Sequence, residues 1–148
     1  MDETLEHILF LARRFKKTNI RYVVIILLME LGVPTQYDGF DYLVKAIVLC
    51  VQDPALVMMK GLYNLVADQY DREMDTHQIE QAIRSAIDTA WQKGSLEAWD
   101  KYFSLGQRHG VRKPANAEFV SRIARLLELW MGCCDAYEHK SLDVEATV

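Results

Sequence analysis

The stretch Thr76 to Gln92, THQIEQAIRSAIDTAWQ, decides how the chain is read. Ile79, Ala82, Ile83, Ala86, Ile87, Ala90 and Trp91 recur at helical spacing, so they form one uninterrupted apolar stripe. Asp75 stands at the N-cap position with Gln78 three residues on, the spacing of a capping box. Lys93-Gly94 reads as a basic last turn followed by a residue able to enter the left-handed conformation. The stripe must face a core. The other side carries His77, Gln78, Gln81, Arg84, Ser85 and Asp88. Gln and Arg can each make two hydrogen bonds to one base edge, so this face suits a major groove as well as plain solvent.

Working outward, the same periodicity predicts helices over Thr4 to Lys17, Ile20 to Leu31, Asp41 to Val51 and Leu96 to Leu105. A further segment runs from Ala55 to Tyr70, opened by Asp53-Pro54 and broken near Gly61. Its second part places Leu62, Leu65, Val66 and Gln69 on one stripe. A last helix capped by Asn116 places Phe119, Ile123, Leu126, Leu127 and Trp130 on one face and ends near Gly132, with a frayed polar tail from Ser141. Gly32-Val33-Pro34 closes the second helix, and Thr35 to Gly39 reads as a loop. Tyr22 to Met29 is the longest apolar run; it reads as a fully buried helix and is too short to span a bilayer. The expected architecture is all-α, about six to seven helices in a single domain.

Composition bounds the function. The chain has 148 residues, 51% hydrophobic and 26% charged, so it can bury one substantial core. A net charge of −4 argues against strong non-specific nucleic-acid binding, although the loop GQRHGVRKP, residues 106–114, carries Arg108, Arg112 and Lys113 without an acid. Three cysteines, Cys50, Cys133 and Cys134, make no disulfide framework and suit a reducing compartment. The start Met1-Asp2-Glu3 lacks the basic-then-apolar pattern of a secretory leader, so a cytoplasmic protein is expected. No glycine-rich phosphate loop, nucleophile elbow or paired-histidine zinc motif is present. Cys133, Cys134 and His139 have no fourth ligand at useful spacing. The expectation is therefore no enzyme, no metal and no cofactor.

A set of ordered motifs adds a resemblance. Glu30-Leu31-Gly32-Val33-Pro34, Gly39-Phe40-Asp41-Tyr42-Leu43, Ala46-Ile47, Lys60, Leu62-Tyr63, Val66-Ala67 and Tyr70 come first. Glu80, Ala82-Ile83-Arg84, Ala86-Ile87, Ala90-Trp91 and Gly94 follow, then Lys113-Pro114, Asn116 and Glu118-Phe119. In this order the chain resembles the C-terminal DNA-binding effector domain of the stage-zero sporulation response regulator. The resemblance implies an all-helical fold containing a helix-turn-helix, with residues 62–70 as its first helix and residues 76–92 as its recognition helix. It divides the chain into an N-terminal amphipathic helix outside the match (1–19), the helix-turn-helix domain (20–132) and a C-terminal tail (133–148).

The resemblance also implies a DNA-binding transcription regulator of sporulation, and candidate roles follow. His77, Gln78, Gln81, Arg84 and Ser85 would face base edges, and Lys93, Arg112 and Lys113 would hold phosphates. Where the family's recognition helix is rich in arginine, this chain has Gln78 and Gln81 and keeps Arg84. No stretch offers a receiver domain's aspartate pocket, so control by phosphorylation is not expected. Double-stranded DNA is the expected partner. The alternative is a protein-interaction module on the same fold. The helix over residues 4–17 is a candidate for homodimerisation, for docking a partner protein or for lying on a membrane surface.

Overall fold

The computed structural model describes residues 20–58, 61–103 and 113–146, together with Glu6. The expected helix over Thr4 to Lys17 lies outside the described residues apart from Glu6, which is helical and exposed. Six α-helices are delimited among the described residues: α1 (Ile20–Leu31), α2 (Asp38–Gln52), α3 (Leu62–Ala67), α4 (Thr76–Lys93), α5 (Leu96–Phe103) and α6 (Asn116–Ala146). A 3-10 helix, Pro54–Met58, joins α2 to α3, and there is no strand among the described residues. The fold class is all-α, as the periodicity indicates.

α2 sits at the centre and packs on α1, α4 and α6. Phe40, Leu43, Val44, Ala46, Ile47 and Cys50 bury most of its circumference. Burial pushes the Cys50 thiol up to about 11, with Asp53 adding to the effect, so it is an inert core side chain. α2 starts at Asp38, ahead of the expected Asp41, and takes Gly39 into its first turn. The reason is contact rather than turn-making. A Cβ on Gly39 would lie 2.2 Å from the Ala82 carbonyl oxygen of α4, so only glycine lets the two helices come this close.

α1 ends in a Schellman motif. Gly32 takes φ +92, its N–H donates to the Met29 carbonyl and the Val33 N–H donates to that of Leu28. Val33 and Leu28 are both buried, which supplies the hydrophobic contact of that motif. Gly94 behaves differently from expectation: φ −74 and ψ 166 are extended, not left-handed. It is glycine because an added Cβ would lie 2.3 Å from the Leu31 carbonyl and 2.4 Å from that of Ala90.

Three further expectations are corrected. α1 is not fully buried, since Tyr22 and Met29 are each 54% exposed. The helix expected to reach Tyr70 stops at Ala67, and Leu65 is exposed. Residues 68–70 instead close turns onto Asn64, Val66 and Ala67, and the Tyr70 side chain leaves for α2. Lastly, α6 does not stop near Gly132 but continues to Ala146. Gly132 has helical neighbours and no left-handed φ, and a helix-interior glycine costs only about 1 kcal/mol.

Tyr70 and Asp41 fix the turn that precedes α4. The Tyr70 hydroxyl donates to Asp41, whose carboxylate also accepts from Lys45 at 2.9 and 3.1 Å, with Arg21 at 3.8 Å. The Tyr70 ring meets Tyr42 edge-on at 5.7 Å and lies under the Lys45 ammonium. Burial raises the Asp41 pKa, but the bonds from Tyr70 and Lys45 outweigh it and hold the carboxyl below 3.8; burial and Asp41 push the Tyr70 hydroxyl well up. A depressed carboxyl pKa stabilises the fold above its unfolded value, and the gain is lost as pH falls through the folded value. Tyr70→Phe should cost about 1–2 kcal/mol at neutral pH. Because Asp41 is half exposed, solvent screening keeps the acid-dependent part small. The gap between the urea midpoints of wild type and variant should narrow, without closing, as pH falls through the folded value below 3.8; a gap that widens on acidification would exclude Asp41 as the titrating partner.

Candidate nucleic-acid interface

α3, the turn over residues 68–75 and α4 form the helix-turn-helix. α3 seats Leu62 and Val66 in the core, and α4 seats Ile79, Ile83, Ala86, Ile87 and Ala90. The Asp75 side chain caps α4 by accepting from the His77 N–H, at the second helical position rather than at Gln78. At the far end the Trp99 indole N–H donates to the Ala90 carbonyl at 3.0 Å, satisfying a last-turn acceptor. Both ends of the 18-residue helix are thus held.

The buried stripe dictates what is left outside. His77, Gln78, Gln81, Arg84 and Ser85 are all exposed and share one face. His77 and Gln81 meet at 3.2 Å, one helical turn apart. The Arg84 side chain is 55% exposed and donates to Glu80 at 3.0 Å. Lys93 is exposed at the last turn of α4. Lys113, half-buried ahead of α6, forms an ion pair with Asp88 of α4. Arg108 and Arg112 lie outside the described residues, and so do the side chains of Cys133, Cys134 and His139.

The pairing is the main departure from a simple basic reading face. Two cations of the candidate interface already hold carboxylates of the same helix. Magnitudes decide what this means. An exposed i,i+4 ion pair is worth about 0.3–0.5 kcal/mol, whereas a bidentate arginine–guanine contact is worth roughly 1–3 kcal/mol. A guanine edge can therefore take Arg84 from Glu80, at a modest loss.

Asn116 and Tyr63 were not legible as members of the site. Asn116 is the first residue of α6, so it does not cap that helix; its amide donates to the Glu80 carbonyl at 3.0 Å and to the Tyr63 hydroxyl at 3.3 Å. One side chain thus ties the start of α6 to both helices of the helix-turn-helix. Beside it an open cleft of about 470 Å³ is lined by Tyr63, Glu80, Arg84, Lys113, Pro114 and Asn116. Asn before an apolar periodic run looks like a cap in sequence, and a bond spanning 36 residues leaves no local signal. Among the described residues no group of three His, Cys, Asp or Glu side chains is placed to hold a metal, and no helix is long and apolar enough to cross a membrane.

The family model described as "Sporulation initiation factor Spo0A C terminal" matches residues 24–127. The match runs from the second turn of α1 through the helix-turn-helix and into α6.

Proposed function

The chain belongs to the Spo0A C-terminal family of DNA-binding effector domains, and on that premise we propose that it binds duplex DNA sequence-specifically as a transcription regulator. The observation that carries this reading is the common exposed face of α4. His77, Gln78, Gln81, Arg84 and Ser85 stand together on a helix whose opposite face is locked into the core. In this reading α4 enters the major groove, Arg84 pairs with guanine, and Gln78 and Gln81 read adenine, with His77 and Ser85 beside them. Lys93 and Lys113 hold the backbone, joined by Arg112. The residues act by binding alone, and no catalytic step or cofactor enters.

The ion pairs of Arg84 and Lys113 favour the rival reading, a protein-interaction module, and they also supply the test. Duplexes selected from a random library are titrated by fluorescence anisotropy at two salt concentrations. Arg84→Ala should weaken the selected duplex by roughly 1–2 kcal/mol, about 5–30-fold, and relax preference at one base pair. Asp88→Asn, which releases Lys113, should tighten selected and scrambled duplexes alike and steepen the salt dependence by about one counterion. Equal affinity of wild type for both duplexes, unchanged in Arg84→Ala, would remove sequence-specific reading by α4 and leave the interaction module.

A further inference from the structure

Asn116 grips α4 from outside the helix-turn-helix. It opens α6, and one turn on Phe119 and Val120 are buried in the core, so it stands on a fixed point. Pro114, two residues ahead, is also buried, and its ring fixes the backbone there. The Asn116 amide nitrogen carries two protons, and each has an acceptor: the Glu80 carbonyl at 3.0 Å and the Tyr63 hydroxyl at 3.3 Å. A carbonyl has no proton to give, so the Asn116 atom facing Glu80 must be the nitrogen. That carbonyl has two lone pairs, and the second serves the Arg84 N–H in the helical ladder.

Glu80 therefore joins α6 to the reading face. Its carbonyl is held by Asn116, and its carboxylate accepts from the Arg84 guanidinium at 3.0 Å. Glu80 lies in the second turn of α4, in the N-terminal part that a recognition helix offers to base edges. The core side of this region is Ile79 and Ile83, whose burial is non-directional. Such packing sets how deep α4 sits but leaves its rotation loose; a hydrogen bond, which depends on angle, can set the rotation. We infer that Asn116 is a positioning residue for base reading, whose amide fixes the rotation of α4 so that Arg84 meets the groove in one orientation. The inference rests on base reading by α4. Binding side chains need support that holds them to within about 0.5 Å, and a hydrogen bond from a second rigid element is such a support. Without it α4 stays folded on its apolar stripe, base contacts lose their geometry, and phosphate contacts, which carry no sequence information, persist.

The test uses the full chain and the variants Asn116→Asp and Asn116→Ala. Aspartate keeps the size of asparagine but cannot donate, and its charge suits the start of α6, so its melting temperature should stay within about 4 °C of wild type. In the free proteins, the Arg84 amide should exchange its hydrogen faster in both variants, and the Trp91 amide at the wild-type rate. Selected and scrambled duplexes are then titrated well below the melting temperature. The ratio of the two affinities should fall about fivefold or more in each variant. The added charge of Asn116→Asp weakens both duplexes alike and so cancels in the ratio. A purely structural tie would lower the melting temperature of Asn116→Ala and leave the ratio intact; that result overturns the inference, as does unchanged exchange at Arg84. A wild type that binds both duplexes equally refutes base reading by α4 itself, and the positioning role falls with it.

Discussion

Trp99→Ala should destabilise the protein by about 3–5 kcal/mol, more than any other single side-chain truncation considered for this fold. Trp99 is 2% exposed and forms the hub of an aromatic cluster. Its ring lies 5.2 Å from Trp91, 4.9 Å from Phe103 and 5.8 Å from Phe119, which joins α4, α5 and α6. Truncation removes these contacts and leaves a void that the surrounding helices cannot fill. It also removes the indole bond to Ala90. That loss is the lesser part, because the Gly94 N–H still donates to the same carbonyl at 2.7 Å. Trp99→Phe should therefore cost about 1–2 kcal/mol, keeping most of the packing and losing the N–H. Thermal melting should fall by about 6–20 °C for the alanine variant and by a few degrees for phenylalanine. Equal losses in the two variants would assign the stabilisation to the hydrogen bond instead of the ring.

The signals that could be read in the sequence are those that act within a few residues. Ile79, Ile83 and Ile87 announce α4 because burial repeats with the helical period, and Asp75 caps it through a bond two residues away. Gly32 followed by Val33-Pro34 announces a left-handed stop for the same local reason. The Glu80–Arg84 pair follows directly from its i,i+4 spacing, in the favourable order with the acid first. The features that escaped are set by distant partners. Tyr70 abandons α3 because Asp41, 29 residues earlier, accepts a hydrogen bond from its hydroxyl. Lys113 finds Asp88, 25 residues away, a pairing that no local spacing announces. Gly39, Gly94 and Gly132 look alike in a sequence. They stand respectively at a helix–helix contact, at an extended close approach and inside a continuous helix.

Gly39 yields the second large effect, and its sign runs against propensity. Gly39 has no left-handed φ, so in open space Gly39→Ala would stabilise the first turn of α2 by roughly 0.4–1 kcal/mol. The space is not open. The new Cβ would sit 2.2 Å from the Ala82 carbonyl oxygen, 2.7 Å from its carbon and 2.9 Å from the Ala86 Cβ. Two of these three are backbone atoms of α4 and cannot swing aside as a side-chain tip would. The start of α2 must therefore move off α4, opening the Ile83 and Ile87 side of the core. The expected cost is about 3 kcal/mol, the upper end of the overpacking range. Gly61→Ala is the matched control: an added Cβ there meets nothing within 4 Å, and its φ of −74 accepts any residue, so its stability should stay level or rise slightly. Because α4 carries the proposed reading face, any shift of α2 against it should also reach DNA. Measured well below the melting point, where both variants are folded, Gly39→Ala should weaken the selected duplex while Gly61→Ala binds as wild type. A Gly39→Ala protein that melts at or above wild type would show that α2 and α4 do not approach this closely, and would remove the reason for glycine in that motif.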